Sequence, residues 1–230
     1  HGVVIKKDGT SVNVNIGEKD SEPVFCITDL LPHLASEQMK KDASKLIEGE
    51  ALDVLIGNIP NGDKENETVK RKVLEILEET YDITEEDFLS AEIEVVPAGK
   101  ARDLGFDRSM VLAYGQDDRS CAYASLRAFL EIENPVKTVS CILVDKEEIG
   151  SVGATGMESL FYENMVAEIS KLLGYESFVS LRRVFANSKM LSSDVNAAYD
   201  PLYASVMDKR NASYLARGLV FCKYTGSRGK

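Results

Sequence analysis

The chain has 230 residues and a formal net charge of −11 at pH 7. Its length suits one large domain or two modest ones, and its 44% hydrophobic and 28% charged residues are ordinary for a globular protein. The acidic balance argues against a nucleic-acid partner, because no basic face exists to meet phosphates, and no apolar run approaches the roughly 20 residues of a membrane span.

The chain opens without a basic segment followed by an apolar one, so no signal peptide is expected. Residues 1–16 alternate, Val3 and Ile5 in one run and Val12, Val14 and Ile16 in the next, with Asp8-Gly9 between the runs, which predicts a β-hairpin. A chain that begins at once in a strand reads as part of something longer. Phe25 to Leu34 is apolar and passes through Pro32. His33 to Ile47 turns charged with helical spacing. Ala51 to Ile56 reads as a short strand closed by Gly57 and Pro60, and Asn61 to Glu67 as an exposed polar loop.

Thr68 to Tyr81 carries the clearest amphipathic pattern, with Val69, Val73, Leu74, Ile76 and Leu77 as its apolar stripe. Thr84 with Asp87 has the spacing of a capping box. Ala91 to Val96 alternates as a strand. The register changes over Pro97 to Gly105, and a domain boundary is placed there. Beyond it, a helix is expected over Ser120 to Leu130 and another over Met157 to Leu173. Between them, V-S-C-I-L-V up to Val144 has the near-continuous apolar character of a strand buried on both faces of a parallel sheet. Helix, buried strand and helix in alternation predict an α/β layer.

The four cysteines, Cys26, Cys121, Cys141 and Cys222, are scattered without a Cys-x-x-Cys pair, which argues against a zinc ribbon or a disulfide framework. They read as buried free thiols in a reducing, cytoplasmic compartment. Only two histidines occur, His1 and His33, although zinc hydrolases usually take at least one imidazole ligand.

Three acidic segments carry the chemistry. The apolar run ending at Val144 leads into Asp145-Lys146-Glu147-Glu148-Ile149-Gly150-Ser151, and in α/β sheets sites form outside the carboxyl ends of strands. Adjacent glutamates repel unless something neutralises them. A metal ion would do so, one carboxylate binding it while its neighbour handles a water proton. An exposed acidic turn explains the pair as well from chemistry alone. Asp117 and Asp118 precede a helix and are backed by Arg119. A helix cap accounts for one aspartate, while a metal-bridging carboxylate with Asp118 and Arg119 as its supports accounts for both. Asp194, in Ser192-Ser193-Asp194-Val195-Asn196, is a third candidate ligand, with a Ser/Asp turn as the plainer account. The C-terminal run from Lys223 to Lys230 lacks the spacing of a phosphate loop.

Taken together, D-L-L-P-H-L-A from Asp29, E-V-V-P-A-G-K-A-R-D-L-G from Glu94, D-R-S-M-V-L-A-Y-G-Q-D-D-R from Asp107, V-D-K-E-E-I-G-S-V-G-A-T-G from Val144, S-S-D-V-N-A-A-Y-D-P from Ser192 and K-Y-T-G-S-R-G-K from Lys223 resemble the aspartyl aminopeptidase (aminopeptidase I) family, in its bacterial branch. The D-L-L-P-H-L-A segment favours it over glutamyl-type aminopeptidases of the same clan. The resemblance implies an α/β sandwich with a mainly β dimerisation domain inserted, residues 1–96 falling in the dimerisation domain and 97–230 in the middle of the catalytic domain. It implies two divalent metal ions, usually zinc and sometimes cobalt or manganese. Asp117 would bridge them, with a cis peptide to Asp118. Glu148 and Asp194 would be terminal ligands, and Glu147 the general base. His33 would reach a neighbouring subunit's active site, and Lys223 would lie near the substrate. Peptides would be the substrates, and dimers would build a dodecamer.

The family's histidine ligands, one in a His-x-Asp segment and one further along, have no counterpart here. The chain therefore reads as an internal portion of a protein about twice as long, and as inactive by itself. The alternative implied by the missing histidines is a non-catalytic shell subunit that keeps the fold.

Overall fold

The computed structural model describes residues 1–62 and 68–222. They form a mixed α/β structure in two compact units, His1–Tyr114 and Gly115–Lys230. The division falls later in the chain than the change of register at Pro97.

The first unit is built on the opening hairpin. Strands β1 (Gly2–Ile5) and β2 (Ser11–Val14) pair antiparallel, with Gly2 opposite Val14 and Ile5 opposite Ser11. Asp8 and Gly9 make the turn, where Gly9 adopts φ 85° and the Asp8 carboxylate accepts from the Thr10 N–H at 2.9 Å. Strand β5 (Ala91–Ile93) joins the other edge of β1, giving the order β2-β1-β5. The alternation of the hairpin turns Val4 and Val14 to one face, where they bury with Ile83 under Val12, Ile16, Tyr81 and Ala91.

Between these pieces of chain, β3 (Cys26–Ile27) pairs with β4 (Val54–Leu55). The run from His33 to Ile47, expected as a helix, contains only two 3-10 turns, Gln38–Lys40 and Ala43–Lys45. Lys41 and Asp42 between them are extended, at ψ 152° and 145°. A short helix needs tertiary packing on its apolar stripe to offset nucleation, and Leu34, Met39 and Ile47 are all exposed. The polar loop expected at Asn61 to Glu67 lies mostly outside the described residues.

Helix α1 spans Thr68–Tyr81, as its periodicity predicts. Its stripe is half-buried at Val69, Val73, Leu74 and Leu77. Gly57 lets it approach, since a Cβ there would stand 3.0 Å from Val73 Cγ2. The next turn, Glu85–Ser90, is 3-10 and opens on the foreseen pair: the Asp87 carboxylate accepts from the Thr84 N–H at 2.9 Å and from its hydroxyl at 2.8 Å. A hairpin that the sequence did not announce, β6 (Arg102–Leu104) with β7 (Met110–Leu112), ends this unit. Its turn uses left-handed residues at Gly105 and Arg108.

Among its described residues the second unit holds three α-helices: α2 (Gln116–Leu130), α3 (Phe161–Leu172) and α4 (Phe178–Asn187). Helix α3 starts later than the pattern from Met157 suggested, because Ser151 to Ser159 is taken up by tight turns. The run Thr138 to Val144 is a correction. It pairs with no strand among the described residues, and Leu143 and Val144 are 54% and 44% exposed rather than buried. Strand pairing needs a partner brought from elsewhere in the chain, and apolar composition alone does not provide one.

Removing the Thr84 hydroxyl (Thr84→Ala) should cost about 1 kcal/mol of stability, the net worth of one hydrogen bond, in urea unfolding. Hydrogen bonds from the Thr84 backbone and side chain hold the Asp87 carboxyl below the usual range. Its contribution is therefore present above the ordinary aspartate pKa and lost as pH falls through the lowered value. Asp87→Asn should flatten that acid limb, and an unchanged limb would refute the assignment.

Candidate metal centre

The start of α2 shapes the first part of the site. Gly115 is left-handed at φ 72°, and Asp117 and Asp118 follow with non-helical angles and a cis peptide between them. Regular helix begins only after Asp118, whose Oδ1 accepts from the Cys121 N–H at 3.3 Å. The capping role thus falls to Asp118, as a side chain that satisfies an orphan donor three residues in. Asp117 stands outside the helix. Arg119 donates its backbone N–H to the Gly115 carbonyl at 3.1 Å, and its guanidinium lies over Gly115, where a Cβ would come within 2.7 Å of Nε.

The second part is the loop after Val144. Lys146 adopts φ 64°, a single 3-10 turn covers Glu147–Ile149, and Gly150 leaves it at φ 97°. The Gly150 N–H bonds the Glu147 carbonyl at 2.9 Å, and the Ser151 N–H bonds the Lys146 carbonyl at 2.7 Å. Glycines are required where they stand. Gly150 and Gly153 are left-handed, and a Cβ on Gly156 would lie 2.0 Å from the Ser151 carbonyl oxygen.

The third part is Asp194, on an irregular segment. Asn196, two residues on, takes a hydrogen bond from the Ser213 hydroxyl at 2.8 Å, and Ala198 bridges Ser213. These contacts fix the segment from its far side.

The three parts converge. Carboxylate oxygens of Asp117, Asp118 and Asp194 lie within 4.8 Å of one another. Glu148 joins them: its carboxyl is pushed up, first by the charge of Asp117, then by that of Glu147, with a hydrogen bond to Asp117 and the charge of Asp194 adding to the effect. Glu147, the neighbouring candidate base, is exposed on the same turn. Hard oxygen donors crowded against their own repulsion are a donor set that suits a divalent cation, whose charge would reverse the sign of the interaction. The residues present fit such an ion.

A profile described as aminopeptidase I zinc metalloprotease (M18) matches residues 1–229. The chain belongs to the M18 family of aminopeptidases. A probable M18 family aminopeptidase 1 from Clostridium acetobutylicum is 62% identical over 231 residues, covering 100% of this chain and 50% of that protein. The crystal structure of aminopeptidase I from Clostridium acetobutylicum matches with a TM-score of 0.83 at 61% identity, over 100% of this chain and 49% of the other. The M18 aminopeptidase structure from Thermotoga maritima gives 0.82 at 48% identity, over 94% and 47%. This M18 chain spans about half the length of the curated relatives it matches.

His33 is exposed in a turn of the first unit. Lys223 lies outside the described residues. Asp118, read from sequence as a support, brings its own carboxylate into the cluster. Cys121 was missed: burial and the neighbouring Asp118 push its thiol up, with Ser193 and Asp194 also nearby. Its position three residues after Asp118, one helical turn on, was the available signal. All four cysteines are free, but Cys26 and Cys222 are exposed rather than buried. No helix among the described residues is long and apolar enough to cross a membrane.

Because Glu148 holds its proton above the usual carboxylate range, cation and proton compete there. Titration with Co²⁺ in buffers of different ionisation enthalpy should show proton release, with affinity rising as pH climbs through the raised range and then levelling off. An affinity independent of pH would contradict this. Gly156→Ala drives a methyl into backbone and should weaken Co²⁺ binding by ~10-fold or more, the scale seen when the supports of metal ligands are disturbed.

Proposed function

We propose that the whole protein is a metal-dependent aminopeptidase that hydrolyses the N-terminal residue from peptides with water activated at two divalent metal ions, usually zinc. The observation that carries this reading is the convergence of Asp117, Asp194 and Glu148, with Glu147 beside them, in a chain of the aminopeptidase I family. Asp117 would bridge the two ions, and Glu148 and Asp194 would each hold one. When bound, the ions supply positive charge that lowers the pKa of water and stabilises negative charge developing on the carbonyl oxygen.

The chain's own residues do the rest. Glu147 takes a proton from the attacking water on a carboxylate oxygen and passes it to the nitrogen of the leaving amine. Asp118 holds the start of α2 in place behind Asp117, with Arg119 packed on the same turn. The free, neutral α-amino group of a peptide would anchor at the site these carboxylates build for the ions, which confines cleavage to the first bond. His33 from a neighbouring subunit and Lys223 contact the substrate in this reading. The imidazole ligands usual for zinc would come from the part of the relatives' length that this chain does not span, since no histidine follows His33.

Residues 1–96 would serve as part of the dimerisation domain inserted in an α/β sandwich, and dimers would assemble into a dodecamer, in the cytoplasm. Residues 97–230 would form the middle of the catalytic domain.

Two substitutions separate the roles in the whole protein. Glu147→Gln should keep metal, measured by atomic emission, while turnover of an aminoacyl-p-nitroanilide drops by roughly 10²–10⁴-fold, the usual worth of general acid–base catalysis. Asp117→Asn should lose the metal itself. Near-full activity in Glu147→Gln would sink the assignment of the base.

A further inference from the structure

The loop that presents Glu147 and Glu148 begins with a carboxylate that neither binding nor proton transfer uses. We propose that Asp145 is the positioning residue of the glutamate pair, locking the start of the loop to its end so that the two side chains diverge. The inference rests on the metal-centre reading above.

The Asp145 N–H donates to the Thr155 carbonyl at 3.1 Å, so the two ends of an eleven-residue loop are joined through the backbone. The Asp145 carboxylate closes the same gap a second time. It accepts from the Lys146 N–H and from the Thr155 side chain, and Lys146 Nζ lies 3.2 Å from Oδ2. These contacts hold its carboxyl below the usual aspartate range, the Lys146 backbone N–H contributing most.

The consequence falls on the next two residues. Capturing its own neighbour's N–H sets the peptide plane between Asp145 and Lys146, and Lys146 takes up left-handed φ 64°. A non-glycine residue occupies that region only under strain and needs its surroundings to hold it there. With Lys146 so placed, the chain enters the 3-10 turn at Glu147 in the one direction that brings Glu148 to Asp117. Three residues per turn separate the adjacent side chains by about 120°, so Glu147 points elsewhere.

The ion pair itself contributes little. Asp145 is 61% exposed in it, and water screens an exposed pair. The hydrogen bonds to Lys146 and Thr155 therefore carry the role, and asparagine can still accept both.

The test uses the whole protein with Co²⁺ as probe, read by its visible absorption, and peptide turnover alongside. Asp145→Ala should weaken Co²⁺ binding and lower kcat each by roughly 10–100-fold, the range for groups that orient metal ligands. Asp145→Asn should recover most of both. Thr155→Val, which keeps the backbone bond and removes only the hydroxyl, should fall between alanine and wild type, and serves where the alanine variant does not fold. Wild-type affinity and turnover in Asp145→Ala would overturn the proposal. So would an Asn variant as impaired as the Ala variant, since charge rather than acceptor geometry would then matter. Failure of the unmodified protein to bind Co²⁺ or to hydrolyse peptides would instead refute the metal-centre reading itself.

Discussion

Crowding of like charge is the constraint on which the second unit turns. Asp117, Asp118 and Asp194 share a space in which their oxygens approach within 4.8 Å, and Glu148 is drawn into it far enough for its proton to be held more tightly. Nothing in that arrangement is stable on Coulombic grounds alone. It persists because each carboxylate is set by local backbone structure that does not depend on the others. Asp118 is held by the N–H it caps, Asp117 by the turn after Gly115, Asp194 by the contacts of Asn196 and Ala198 with Ser213, and Glu148 by a glycine-bounded loop. Rigid local supports let a protein keep repelling groups together for an ion to join.

The glycines and the polar side chains divide this work. Gly150 and Gly153 supply left-handed angles, and Gly156 supplies contact distance to Ser151. The hydrogen bonds of Asp145, Lys146 and Ser151 then choose one path among those the glycines permit. The first unit uses the same economy at a smaller scale. A three-residue core of Val4, Val14 and Ile83 is framed by the Thr84–Asp87 pair and by the Asp8–Thr10 turn, so short-range polar contacts define edges that so small a core could not.

Legibility followed the range of the interactions. The opening hairpin, helix α1 and the Thr84–Asp87 pair were readable because their causes are local: alternation around Asp-Gly, a stripe at helical spacing, a capping residue three positions from its partner. The expected helix over His33 to Ile47 does not form because its apolar side chains stay uncovered among the described residues, and the run at Thr138 to Val144 stays unpaired among them because a strand needs another strand. The β6–β7 hairpin went unseen because its turn relies on Arg108 at φ 55°, a conformation that residue type does not advertise. In the site, the order of Asp117, Glu147, Glu148 and Asp194 was legible as a family pattern, whereas Asp118's double service as cap and cluster member was not.

The sequence by itself determined the family, since six motifs in order constrain the chain far more than any one of them, and it determined which carboxylates were candidates for metal and proton chemistry. It also determined the local elements whose hydrogen bonds close within a few residues. Only the tertiary structure decided that residues 77 positions apart, Asp117 and Asp194, bring their carboxylates together, and that Glu148 turns toward Asp117. Those facts depend on where turns and helix starts aim their side chains in space. That aim is set by backbone angles at Gly115, Lys146 and Gly150, which spacing along a chain does not express.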